Sequence, residues 1–178
     1  MCIRDRPRKA EVLSSTYQFE AIPFDFDNDL FDLMTVKIQD PAGEENFYAF
    51  EVQYEITNTD NGSERMEYAY SDTDDPLFEY GYNINHILPD ISFDGGTYDI
   101  RILANTKWIG LNTNEELTAV IVNLTTLTKD LYIYETTRSI NADAQNNPFA
   151  EPVLVHSNIE NGFGVFTLQN IVDYRHEF

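Results

Sequence analysis

Apolar and polar side chains alternate one by one along much of this chain, the period-two pattern of strands that bury a single face. Met34, Val36 and Ile38 alternate with Thr35, Lys37 and Gln39. Asp40-Pro41-Ala42-Gly43 then stops the run, because proline presets a turn torsion and glycine relaxes φ. The cleanest stretch follows. Tyr48, Phe50, Val52, Tyr54 and Ile56 make an aromatic and branched face; Ala49, Glu51, Gln53, Glu55 and Thr57 make a wet one. Asp60-Asn61-Gly62-Ser63 predicts a hairpin, since Asn-Gly accepts the positive φ of tight turns. The returning strand is expected to carry Met66, Tyr68 and Tyr70 on one face and Arg65, Glu67 and Ala69 on the other. Cross-strand aromatic pairs there would contribute about 0.2–1 kcal/mol each.

Tyr80, Tyr82 and Ile84 suggest another short strand, and Asp94-Gly95-Gly96 a tight turn. Tyr98, Ile100 and Ile102 alternate with Thr97, Asp99 and Arg101. Leu117 to Leu124 is nearly all apolar or small, as expected of a strand buried on both faces. One helix is predicted over 129–141. Thr128 suits its N-cap, Asp130 its positive end, and Arg138 its far end, with Leu127, Leu131 and Tyr134 on one face. Asn146-Asn147-Pro148 is expected to end it. Val153–Ser157 and Phe163–Leu168 read as a last strand pair around Asn161-Gly162. The pattern predicts a mainly β fold: one antiparallel, sandwich-like domain over residues 7–178 with a helix near its carboxy end.

Composition narrows the function classes. Apolar residues make up 42% of the 178 positions, which excludes disorder, and no apolar run is long enough for a membrane helix. Acids outnumber bases 31 to 11, a net charge of −20 that repels phosphate backbones and argues against nucleic-acid binding. Met1-Cys2-Ile3-Arg4-Asp5-Arg6 reads as a translated sequencing adapter, to be set aside before fold reasoning. Cys2 is the single cysteine, so the remainder has no disulfide framework and no thiolate metal site.

The candidate chemistry is sparse. His86, His156 and His176 stand in no ligand spacing and read as structural or surface residues. Ser157 lies in no nucleophile elbow, no P-loop exists, and Gly162-Phe163-Gly164 reads as a turn. Asp25, Asp27 and Asp29 alternate like the start of a calcium loop, but Leu30 and Val36 occupy the places of its glycine and its bidentate glutamate. Asp72, Asp74 and Asp75 form a second cluster. Either set could offer calcium hard oxygen ligands, against the plainer reading as solvated acidic loops; no other cofactor is expected. No spacing selects a carboxylate pair for glycoside hydrolysis. Trp108, Tyr80 and Tyr82 are the aromatics suited to stacking on a ligand, in the turn-rich stretches 72–82 and 105–116.

Three segments carry a resemblance: Asp40-Pro41-Ala42-Gly43-Glu44-Glu45-Asn46-Phe47-Tyr48; Phe93-Asp94-Gly95-Gly96-Thr97-Tyr98; and Asn147-Pro148-Phe149-Ala150-Glu151-Pro152 followed by Ser157 to Phe166. In order and spacing they resemble the domain-of-unknown-function 4249 family of Bacteroidota. The resemblance implies a cell-envelope lipoprotein anchored at the outer membrane, longer than this chain, with a signal, an anchor cysteine and a β-rich region upstream. It further implies an accessory role beside a TonB-dependent outer-membrane transporter, and carries over no catalytic residue. The expected function is therefore a non-catalytic accessory or ligand-capture domain. The alternatives are a carbohydrate- or peptide-binding adhesin domain and a carboxylate-based hydrolase.

Overall fold

In the computed structural model, residues 7–8, 10–23, 30–106, 109–145, 150–151 and 153–178 are described, with backbone alone for 19–23 and 30. Alternation becomes pairing almost wherever the sequence shows it. The strands are β1 (Glu11–Pro23), β2 (Leu30–Gln39), β3 (Phe47–Asn58), β4 (Glu64–Tyr68), β5 (Ser71–Asp72), β6 (Ile87–Pro89), β7 (Thr97–Ala104), β8 (Glu115–Leu127) and β9 (Asn170–Glu177). The helix α1 spans Lys129–Gln145. Two antiparallel sheets result. One has the order β1-β2-β7-β5; the other has β4-β3-β8-β9, with β6 also paired to β3. The chain is mainly β with one helix near its carboxy end, as its pattern predicts.

Register brings the apolar faces together. Met34 lies opposite Ile102 and Val36 opposite Ile100, while on the facing sheet Phe50 lies opposite Leu124 and Val52 opposite Val122. These residues, with Tyr48, Tyr54 and Ile56, form one buried core between the sheets. At the far rim the Tyr17 ring stacks on that of His176 at 5.3 Å, joining the first strand to the last. A second, smaller core lies on the outer face, where Phe47, Ala49 and Leu127 pack beneath Leu131 of α1. The supposed wet face of β3 is thus partly dry: Ala49 lies under the helix, and Glu55 is buried against the Arg175 guanidinium.

Several local expectations are corrected. The β3–β4 hairpin forms where expected, with Asn58 N–H on Ser63 C=O at 2.8 Å and Thr59 to Gly62 in the turn. That register sets Tyr68 opposite Gln53 and Met66 opposite Glu55, on the outer face. The expected aromatic pairs do not form, and Tyr68 is 72% exposed. β8 buries Val120, Val122, Leu124 and Thr126 on one face, but Ile121, Asn123 and Thr125 on the other are half-buried. Tyr80–Ile84 is not a strand. After a single bridge from Glu79 to Ile87 the chain turns, with Gly81 N–H on Ile84 C=O at 2.9 Å.

The helix begins as expected: Leu131 N–H reaches Thr128 Oγ1 at 3.4 Å. It runs to Gln145, past the expected end; Leu131 and Glu135 are its buried positions, and Leu127, Leu131 and a partly buried Tyr134 share one small core, as expected. The Asn146-Asn147-Pro148 stop lies outside the described residues. Val153–Ser157 and Phe163–Leu168 are not strands, because the Asn158 side chain takes the place of a ladder. It donates to Phe166 C=O at 2.9 Å and accepts from Phe166 N–H at 2.8 Å. The last strand is β9, which the sequence reading missed.

Candidate functional site

Two of the motif-bearing turns meet. Asp40, directly after β2, accepts Gly95 N–H at 2.8 Å, the Asn46 amide at 3.2 Å and the Tyr48 hydroxyl. Asp94 accepts Gly43 N–H at 2.8 Å, and Asp90 accepts Asn46 N–H at 2.8 Å. Close approach explains the small residues: a Cβ on Gly95, whose φ is +70°, would sit 2.6 Å from the Ala42 Cβ. Carboxylate oxygens of Asp40, Asp90 and Asp94 all lie within 4.8 Å of one another, the one such acidic group among the described residues. Burial, aided by Asp40 and Asp94, raises the Asp90 pKa against the lowering by its Asn46 hydrogen bonds. These oxygens have the chemistry to hold a hard cation. Each also already receives a donor from a turn, which is the geometry of a brace.

The acidic residues singled out in the sequence are placed differently. Asp25, Asp27 and Asp29 lie outside the described residues. Asp72, Asp74 and Asp75 are not brought into one group. Asp74 takes both Arg101 donors at 2.9 and 2.7 Å, and that pairing holds its carboxyl below the usual range. Asp75 accepts the Tyr98 hydroxyl, and Asp72 lies 3.7 Å from His86 Nε2. Trp108 lies outside the described residues. The Tyr82 ring is covered by the Arg138 guanidinium at 4.0 Å, and the Tyr80 ring centre is 5.5 Å from that of His86.

A concave site opens where the edge of β3 is interrupted. β6 covers Phe47–Ala49 and β4 covers Gln53–Thr57 along that edge. Between them lies a cavity of about 310 Å³, walled by Glu51, Tyr68, Ser71, the Asn83–His86 turn, Gln169 and Ile171. The turn is held by Glu135 of α1, which accepts Asn83 N–H at 2.6 Å and its side-chain amide at 3.1 Å. Neither Tyr80 nor Tyr82 lines the cavity; the loop after them does. Sequence reading missed this site because the break arises from two strands, distant in the chain, sharing one edge.

His86 is the buried titratable group of this wall. Its ring stacks on Phe50 at 5.2 Å, Nε2 lies 3.3 Å from Ser71 C=O, and Nδ1 has no hydrogen-bond partner among the described residues. Burial lowers its pKa more than Ser71 and Asp72 raise it. A depressed folded-state pKa means that the unfolded chain takes up the proton first. Stability from this group is therefore complete above about pH 6.5 and is lost as pH falls below it. We expect the drop in Tm between pH 7.5 and pH 5.5 to shrink in His86→Phe, measured by thermal denaturation at both pH values. An equal drop in both proteins would refute this.

No curated protein and no solved structure matches the chain. A family model described as a domain of unknown function, DUF4249, matches residues 5–175. That span takes in the braced turns at Asp40 and Asp94, the interrupted β3 edge and α1. The chain therefore belongs to the DUF4249 family.

Proposed function

We propose that this chain is a non-catalytic cell-envelope domain that captures a small ligand and serves as accessory to a TonB-dependent outer-membrane transporter. The observation that carries the reading is the cavity of about 310 Å³ at the interrupted β3 edge. Its wall includes the turn directly after the 72–82 stretch, and binding residues concentrate on loops held by a rigid scaffold. The acids support capture over hydrolysis. Among the described residues Glu51 is the one carboxylate in that wall, whereas two-carboxylate hydrolysis needs a facing pair. Asp40, Asp90 and Asp94, the one clustered acidic group among the described residues, are engaged in bracing turns. An outer-membrane lipoprotein anchor, supplied upstream, is part of this proposal; no helix among the described residues is long and apolar enough to cross a membrane.

The test is affinity purification of the full-length protein from envelope fractions. The expected result is recovery of the protein in the outer membrane together with a TonB-dependent transporter. A full-length product found wholly in the cytoplasm would overturn the reading, and envelope recovery without a transporter would favour a free-standing adhesin.

A further inference from the structure

We infer that the cavity on the β3 edge takes one uncharged, hydroxyl-rich sugar unit, packed against the Tyr68 ring. This rests on the reading of the cavity as a capture site and names its ligand class.

Charge selects first. Among the described residues the wall holds a single acid, Glu51, and no lysine or arginine, on a molecule of net charge −20. Phosphorylated, sulfated or carboxylated ligands meet repulsion with nothing to pair with. One carboxylate is also too few for a calcium ion, which takes six to eight oxygens.

Hydrogen-bonding capacity selects next. Glu51, Asn85 and Gln169 are exposed in the wall, offering one pure acceptor and two amides that both donate and accept. A sugar hydroxyl does both as well, so several neighbouring hydroxyls can match this mixed set.

Shape and the aromatic follow. Tyr68, on the outer face of β4 at the cavity wall, is 72% exposed and presents a flat apolar ring beside polar groups. Such a ring suits the C–H face of a pyranose. A volume of about 310 Å³ accommodates one sugar ring and not a buried oligomer.

The rival occupant is a peptide added as a strand. β6 and β4 leave only Phe50 to Val52 of that edge open, and Ala69 N–H already bonds Val52 C=O at 2.9 Å. That run is too short for strand addition, which draws its affinity from successive main-chain bonds.

The experiment titrates the whole chain with glucose, galactose, mannose, xylose, N-acetylglucosamine and their β-linked disaccharides. Saturation is followed by ligand-observed NMR, with glucose 6-phosphate, glucuronate and tri-alanine as comparators. At least one neutral sugar is expected to saturate. Tyr68→Ala is expected to weaken it about tenfold. Because Tyr68 is exposed, the melting temperature of that variant should stay close to the parent's. A second variant, Gln169→Ala, should weaken binding about threefold. The inference is overturned if no neutral sugar saturates below about 50 mM. Tighter binding of a charged sugar or of the peptide, or affinity unchanged in Tyr68→Ala, overturns it equally. Co-purification with a transporter without sugar binding refutes the ligand class alone. Sugar binding without a transporter leaves the ligand class standing and refutes the accessory role.

Discussion

Asp40→Ala is expected to lower the free energy of unfolding by about 3–5 kcal/mol, read from urea denaturation midpoints with unchanged slope. Asp40 is 2% exposed and Tyr48 is fully buried. The alanine variant leaves the Tyr48 hydroxyl, the Asn46 amide and Gly95 N–H without their acceptor. Each buried donor so orphaned costs about 1–3 kcal/mol. Relief of repulsion on Asp90 offsets part of that loss, which keeps the total below a simple sum. Asp40→Asn keeps one acceptor oxygen and should lose about half as much. A loss below about 1 kcal/mol in Asp40→Ala would show that the two turns do not depend on this carboxylate.

Glu135→Leu is expected to cost about 2–3 kcal/mol and, more specifically, to loosen the turn that walls the cavity. Glu135 is 3% exposed and binds both the backbone and the side chain of Asn83. Leucine fills the space but accepts nothing, so the Asn83 amide proton should exchange faster with solvent than in the parent protein. Tyr82 N–H bonds the Glu135 backbone carbonyl at 3.1 Å and should stay protected. Native-state hydrogen exchange separates the two amides. If the turn is built by this carboxylate, only Asn83 changes; equal acceleration at both would mean that α1 itself has frayed.

Much of this architecture can be read from the residues. β2 and β7 alternate cleanly because each presents one face to the core between the sheets, and β3 does so from Tyr48 to Ile56 although Phe47 and Ala49 on its other face join the smaller core. Thr128 marks the helix start through local chemistry that needs no tertiary context. The failures share a cause. β4 turns its apolar residues outward because the turn, not the hydrophobic pattern, sets its register. β9 was missed because only Val172, Tyr174 and His176 face inward, half-buried, at the sheet edge. Val153 to Leu168 looked like a hairpin, yet Asn158 makes the bonds that a strand partner would make.

The site was legible in fragments. Asp40 and Asp94 stand in the motifs that carry the family resemblance, but their meeting with Asp90 depends on how β2 and β7 pair. Asp72, Asp74 and Asp75 look like a ligand set only while Arg101, Tyr98 and His86 are out of view. The cavity carries no local signal, because it is a gap between two partners of one strand.

The order of the strands has a kinetic consequence. β2 must wait for β7, β3 for β8, and the Tyr17 ring for His176 near the opposite end of the chain. The β1–β2 and β3–β4 pairs can form during synthesis, but the contacts that join them into sheets must wait, and closing such long loops places this chain among slow, millisecond-to-second folders. Until β8 emerges, β3 is an oily ribbon with one side bare, the kind of intermediate that self-associates. A holdase that shields nascent chains should matter more to this protein's yield than any single contact in its finished form.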